Sequence, residues 1–147
     1  MYRYLNLPQI PNELISNLNR DFDTYETSWS PRPEKGNYFK SKTGIDKISE
    51  WCKNNVCESA HWDFQIIKGD MPIHTDAVTV SKLMYLIDTG GDNVVSEFYN
   101  SDKTELLESV VYEKNKWILL RVDIPHRVKN INPGSVRFSI TGRMFPY

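Results

Sequence analysis

Apolar residues recur along this chain with two different periods, and the change comes near residue 60. In Pro11-Asn12-Glu13-Leu14-Ile15-Ser16-Asn17-Leu18-Asn19-Arg20-Asp21-Phe22, the residues Leu14, Leu18 and Phe22 stand four apart. That spacing predicts one buried helical face, with Pro11 suited to a first helical position. Ile45, Ile48, Trp51 and Cys52 recur at steps of three and four. They predict a second helix from Gly44 to about Val56, with Thr43 near its cap. Between the two, residues 28–40 hold Pro31, Pro33, Gly36 and alternating charges, and read as a loop. Neither helix carries visible chemistry, so their expected role is to cover one face of a sheet.

From His61 onward the period becomes that of strands. Trp62-Asp63-Phe64-Gln65-Ile66-Ile67 ends at Gly69-Asp70, and Ser81-Lys82-Leu83-Met84-Tyr85-Leu86-Ile87 ends at Thr89-Gly90-Gly91-Asp92. Val94-Val95-Ser96-Glu97-Phe98-Tyr99, Glu108-Ser109-Val110-Val111-Tyr112 and Trp117-Ile118-Leu119-Leu120-Arg121-Val122 follow. After Asn132-Pro133-Gly134 comes Val136-Arg137-Phe138-Ser139-Ile140-Thr141. Short β-branched and aromatic runs with frequent turn signals predict an all-β sandwich or barrel. No helical pattern lies between these runs, which argues against a parallel sheet. The fold expected is mainly β with N-terminal helices (α+β): a double-stranded β-helix, or jelly roll, with a cupin-like barrel. One domain is expected over residues 1–147, with a helical layer over 1–58 and the barrel core over 59–147.

Composition adds exclusions. A net charge of −1 over 147 residues gives no general attraction to nucleic acid or to anionic membranes. No apolar run approaches the ~20 residues of a membrane span. Met1-Tyr2-Arg3-Tyr4-Leu5-Asn6-Leu7-Pro8 lacks the apolar region of a signal peptide, so a cytoplasmic location is expected. Cys52 and Cys57 fit it. On a helix, five residues separate them by roughly 140° around the axis, which disfavours a disulfide. With His61 they supply only three of the four ligands that a structural zinc requires. Buried free thiols are expected instead.

The candidate chemistry lies in Met71-Pro72-Ile73-His74-Thr75-Asp76 and, some fifty positions later, His126. A His-x-Asp pair alone is weak, since chance supplies one in roughly a third of comparable sequences. Its placement strengthens it. In an extended segment both side chains project to the same face, and a strand followed by a proline turn is where a barrel mouth would be. Asp123-Ile124-Pro125 ends a very apolar strand and puts His126 at a strand boundary. Two imidazoles and one carboxylate on one face of a metal are the signature of non-haem Fe(II) oxygenases. Imidazoles ligate only when neutral, so metal affinity is expected to fall below about pH 6. An iron with open positions can take a bidentate 2-oxo acid and O2. If that acid is 2-oxoglutarate, its distal carboxylate needs a cation inside an apolar barrel. Arg137 lies on the strand after His126 and offers two-point hydrogen bonding, with Ser139 on the same face. His61 has no partner among these residues.

These pieces resemble the Fe(II)- and 2-oxoglutarate-dependent dioxygenases, especially their prolyl-4-hydroxylase-like branch. His74-Thr75-Asp76, Leu83-Met84-Tyr85-Leu86-Ile87-Asp88 running into Gly90-Gly91, Asp123-Ile124-Pro125-His126-Arg127-Val128 and Arg137-Phe138-Ser139-Ile140-Thr141 carry the resemblance over roughly residues 62–145. It implies that His74, Asp76 and His126 hold Fe(II) and that Arg137, with Ser139 as hydroxyl companion, holds 2-oxoglutarate. Tyr85 falls where many members place a tyrosine on the same carboxylate, and Leu83 would line that pocket. Gly90 and Gly91 match a structural turn. Asp76 occupies the position that halogenating relatives leave to halide, which implies hydroxylation. Arg143 shares the face of Arg137 and is either a substrate contact or, the favoured reading, a solvent-exposed arginine near the C-terminus. The N-terminal part matches nothing in the family and the pocket-shaping insertions of larger members are missing, so the substrate stays open. The rivals are a non-catalytic jelly-roll metal-binding module and a cupin-type dioxygenase that does not use 2-oxoglutarate.

Overall fold

The computed structural model describes residues 1–18, 29–30, 38–40, 46–76 and 79–144. In chain order the elements are β1 (Tyr2–Leu5), α1 (Asn12–Ser16), β2 (Trp29–Ser30), β3 (Tyr38–Lys40), α2 (Asp46–Asn55), β4 (His61–Ile67), β5 (Ser81–Asp88), β6 (Val95–Tyr99), β7 (Leu106–Val110), β8 (Trp117–Arg121), β9 (His126–Lys129) and β10 (Arg137–Met144). Seven strands form one antiparallel sheet in the order β1-β8-β5-β10-β4-β3-β2, and β7-β6-β9 form a second. The segment before Asp76 runs beside β9 and adds a partial fourth row, with an isolated antiparallel bridge between His74 and His126. The architecture is a double-stranded β-helix, as the sequence pattern predicts.

Side-chain alternation divides the interior in two. Leu83, Tyr85 and Ile87 of β5 join Trp62, Phe64, Ile66, Trp117, Phe138 and Ile140 on the outer face of the large sheet. Ile10, Ile48 and Cys52 cover them from the N-terminal segment and α2. Met84 and Leu86, one position out of phase, face inward with Phe98, Tyr112, Ile118, Leu120 and Val122 between the two sheets. A strand buried on both faces reads as a continuous apolar run, which is why β5 shows no polar alternation. Two indoles tie the outer layer down. Trp117 Nε1 donates to the Pro8 carbonyl at 2.8 Å and Trp62 Nε1 to the Cys57 carbonyl at 3.0 Å. Their rings meet edge-on, with centroids 5.7 Å apart.

The N-terminal region departs from expectation. Besides two helices it supplies three strands to the large sheet. β1 pairs with β8, Tyr2 opposite Leu120, while β2 and β3 extend the other edge from within the segment expected to be loop. These strands are short and lie at sheet edges, where pairing with an existing strand outweighs local pattern. Helix α1 spans five residues, and the part of the expected first helix beyond residue 18 lies outside the described residues. Cys52 and Cys57 are free thiols, and burial pushes the Cys52 thiol up to about 12. Among the described residues, no helix is long and apolar enough to cross a membrane.

Gly142 on β10 lets Trp62 lie flat on the sheet, because a Cβ there would sit 2.7 Å from Trp62 Cζ3. Gly142→Ala is therefore expected to destabilise the protein by about 1–3 kcal/mol through overpacking. Urea unfolding measures this, and an unchanged midpoint would contradict the Trp62 packing.

Candidate metal centre

The three candidate ligands are brought together by backbone pairing. His74 N–H donates to the His126 carbonyl at 3.0 Å, and His126 N–H donates back at 2.9 Å. Directly opposed residues of an antiparallel pair project to the same side, and the two imidazole centroids lie 4.6 Å apart. Asp76 is two residues beyond His74, and its N–H donates to the Val122 carbonyl at 2.9 Å, which fixes it beside the end of β8. Its Oδ1 stands 3.7 Å from Nε2 of each histidine. One donor atom from each residue lies within 4.8 Å of the other two, close enough for one cation to touch all three. Among the described residues, this is the one grouping of three or more His, Cys, Asp or Glu donors.

The rings are also oriented. His74 Nδ1 meets the Pro72 carbonyl at 2.8 Å and His126 Nδ1 meets the Ile124 carbonyl at 2.7 Å. A carbonyl can only accept, so Nδ1–H is the donor in each case and the lone pair sits on Nε2, aimed at Asp76. The repeated geometry uses the carbonyl two residues upstream of each histidine. Burial lowers the proton affinity of His126 to about 4, helped by the neighbouring His74, against the opposing pulls of the Ile124 carbonyl and Asp76. That keeps its imidazole in the neutral, ligating form. It also moves proton competition at His126 well below the pH of an ordinary imidazole.

These ligands open into a cavity that Arg137, Ser96, Tyr112, Gln65 and Lys82 also line. Arg137 is 3% exposed. Its guanidinium reaches the Thr89 carbonyl and Ser96 Oγ at 3.4 Å each, and its Cζ lies 5.8 Å from the centroid of the Tyr112 ring. These are long bonds for a buried cation. No carboxylate among the described residues pairs with it, and burial pulls its pKa down to about 10. The Tyr112 hydroxyl is likewise buried without a hydrogen-bond partner among the described residues, and burial raises its pKa. Gly90, at φ +90°, makes the turn that packs against Arg137, where a Cβ would sit 3.2 Å from the Arg137 backbone nitrogen.

His74, Asp76, His126 and Arg137 thus share one cavity. Ser139 is buried on the strand of Arg137, opposite Gln65 and Leu86, but is not among the residues that line it. Tyr85 and Leu83 correct the expectation. Both lie on the outer face of β5, with the Tyr85 ring 5.0 Å from that of Trp117. Because β5 is apolar on both sides, its pattern does not reveal which parity faces inward, and the inward set is Lys82, Met84 and Leu86. The tyrosine beside Arg137 is Tyr112, which sequence reasoning missed because it follows β7 with no motif around it. Lys82 did leave a signal: it is the one cation in an otherwise apolar run. Arg143 is partly buried and pairs with Asp63 at 3.2 Å rather than projecting into solvent.

Comparison with known proteins locates the likeness in the fold. No protein-family model matches the chain, and no curated protein matches it in sequence. Among solved structures, a prolyl-4-hydroxylase from Pseudomonas putida superposes with a TM-score of 0.66 at 12% identity. The alignment covers 99% of this chain and 92% of that one. This chain has the fold of that enzyme. At such low identity the chemistry must be argued from the residues themselves.

The low proton affinity of His126 has a consequence for stability. In the unfolded chain its imidazole titrates near 6.5, so between about pH 6.5 and 4 the unfolded state binds the proton first. The metal-free protein should hold this stability above about pH 6.5 and lose it as the pH falls toward 4, by at most about 3 kcal/mol. His126→Gln should flatten that part of the profile. Urea unfolding of both proteins across this range is the check, and parallel profiles would show that His126 is not held neutral.

Proposed function

We propose that this protein is an Fe(II)- and 2-oxoglutarate-dependent oxygenase of the hydroxylase type. The observation that carries the reading is the presence, in one cavity, of a three-donor metal site and a buried arginine without a carboxylate partner among the described residues. Two imidazoles and a carboxylate, with no fourth His, Cys, Asp or Glu donor beside them among the described residues, leave positions for exogenous ligands, unlike the closed shell of a structural zinc. A buried, unpaired guanidinium is costly by several kcal/mol, and a carboxylate-bearing ligand relieves that cost. The two features support each other: the metal takes one end of a 2-oxo diacid and the arginine the other.

Iron held by His74, Asp76 and His126 would supply activation of O2, coupled to decarboxylation of 2-oxoglutarate to succinate and CO2. The chain supplies everything around it. His74 and His126 present neutral Nε2 atoms because the Pro72 and Ile124 carbonyls hold their Nδ1–H groups. Asp76 completes the ligand set and fills the position that a halide would need. Arg137 holds the distal carboxylate, with Ser96 and the Tyr112 hydroxyl as neutral donors beside it. Met84, Phe98 and Leu120 wall the cavity with apolar surface and keep water from the co-substrate.

Purified protein loaded anaerobically with Fe(II) should develop a visible absorption band on adding 2-oxoglutarate. Arg137→Ala should weaken 2-oxoglutarate by about 30-fold or more, the cost of losing a charge-assisted pair, while iron affinity stays within about threefold. Equal loss of both ligands would contradict the division of labour. His74→Ala or His126→Ala should abolish iron binding. Tyr112→Phe should weaken 2-oxoglutarate by about 3- to 10-fold, as expected for one neutral hydrogen bond. Iron binding without 2-oxoglutarate binding in the parent protein would point to a cupin-type enzyme instead.

A further inference from the structure

Resting on the role of His126 as an iron ligand in that reading, we propose that Glu97 is a positioning residue for the metal centre. Through Arg127 it holds β9 in the register that turns His126 into the cavity. Glu97 lies on β6, is 6% exposed, and is not among the residues that line the cavity. Its Oε1 accepts Arg127 Nε–H at 2.7 Å and the Tyr99 hydroxyl at 2.9 Å. The Arg127 guanidinium also lies over the Tyr99 ring, with Cζ 5.5 Å from the ring centroid. Arg127 borders the cavity beside His126, yet its Nε–H is committed to Glu97.

Strand β9 needs such a device. It is four residues long and all four are half-buried, so burial alone labels its two faces weakly. Phe98 stands opposite His126, Glu97 opposite Arg127 and Ser96 opposite Val128. Phe98 packs in the inner core, so by alternation Glu97 projects to the outer face of the small sheet, and Arg127, directly opposed, shares that face. A slip of one residue would set Glu97 against His126 or Val128, and Arg127 against Ser96 or Phe98. That leaves a buried carboxylate without its cation and drives a guanidinium toward an apolar interior, and both are costly. The same slip turns His126 to the wrong face. Apolar residues at positions 97 and 127 would impose no such penalty.

Further bonds carry that register to the imidazole. Tyr99 N–H donates to the Pro125 carbonyl at 2.8 Å, which continues the pairing of β6 with β9 past Phe98 and His126. The next carbonyl upstream, that of Ile124, is the one that meets His126 Nδ1 at 2.7 Å. Tyr99 is thus fixed at both ends, its main chain on Pro125 and its hydroxyl on Glu97. The ionic character of the contact is the informative point. A buried ion pair is seldom the most stable filling of its space, and its best-attested use is to specify a register. Here the register it specifies is the one that brings His126 opposite His74.

The test titrates the full chain with Fe(II) without oxygen and uses Co(II) as a spectroscopic probe of the same site. In the Co(II) form the Nδ1–H protons of His74 and His126 are expected as two paramagnetically shifted, exchangeable proton NMR signals. The pair is replaced by apolar side chains of similar size, Glu97→Leu with Arg127→Met, which should leave the urea unfolding midpoint equal or higher. The same variant should bind Fe(II) about tenfold or more weakly and lose or broaden one of the two shifted signals. Glu97→Gln keeps an acceptor for Arg127 and Tyr99 and should stay within about threefold of the parent. Unchanged Fe(II) affinity in the apolar variant would overturn the proposal. So would a fall in affinity that tracks a lower unfolding midpoint with both signals kept, or a loss in Glu97→Gln as large as that of the apolar pair. Failure of the underlying reading is distinct, because the parent chain would then bind neither metal.

Discussion

The site depends on the backbone pairing of His74 with His126. Those two reciprocal hydrogen bonds place imidazoles from segments about fifty residues apart on one side of one rung. Each bond contributes only about 1 kcal/mol net, too little to offset closing such a loop alone. The barrel holds it shut. β6 pairs with β9 and sets the position of His126, while Met71 bonds to Val128 and Asp76 to Val122 on either side of His74. The candidate metal ligands are therefore positioned by sheet register, and a one-residue slip in β9 would turn His126 out of the cavity.

Charge is the second constraint. The inner faces of the sheets are largely apolar, yet Arg137, Lys82 and Asp63 are buried on the large sheet, and Glu97 is buried on β6. Glu97 and Asp63 are answered by Arg127 and Arg143. Arg137 instead meets a carbonyl, a hydroxyl and an aromatic face. A natural barrel retains such an arrangement where function requires it, because an apolar residue of similar size would be more stable. The proposed co-substrate supplies the countercharge that Arg137 lacks among the described residues. The binding energy of that ligand would then come partly from relieving a cost that the empty fold carries.

Much of this was legible in the sequence. The strands of the barrel announced themselves through β-branched runs and turn signals, and the donors through spacing: His74 and Asp76 two apart in an extended segment, His126 at a strand boundary. Arg137 was legible because Phe138 and Ile140 had to face the other way, and both do lie in the outer core. The misses share a physical cause. Tyr85 and Leu83 were assigned to the wrong face because β5 is buried on both sides, so parity carries no polar label. β1 and β9 are four-residue strands defined by their partners rather than by their own composition. Tyr112 reaches Arg137 only through the packing of β7 and β8 in three dimensions.

The most direct measurement is an anomalous difference map at the iron edge from crystals grown anaerobically with Fe(II) and 2-oxoglutarate. A single iron peak is expected, bonded to Nε2 of His74, Nε2 of His126 and one carboxylate oxygen of Asp76. 2-Oxoglutarate is expected on the open face, extending to Arg137. An iron closed by a fourth protein ligand, or no iron between these three residues, would contradict it.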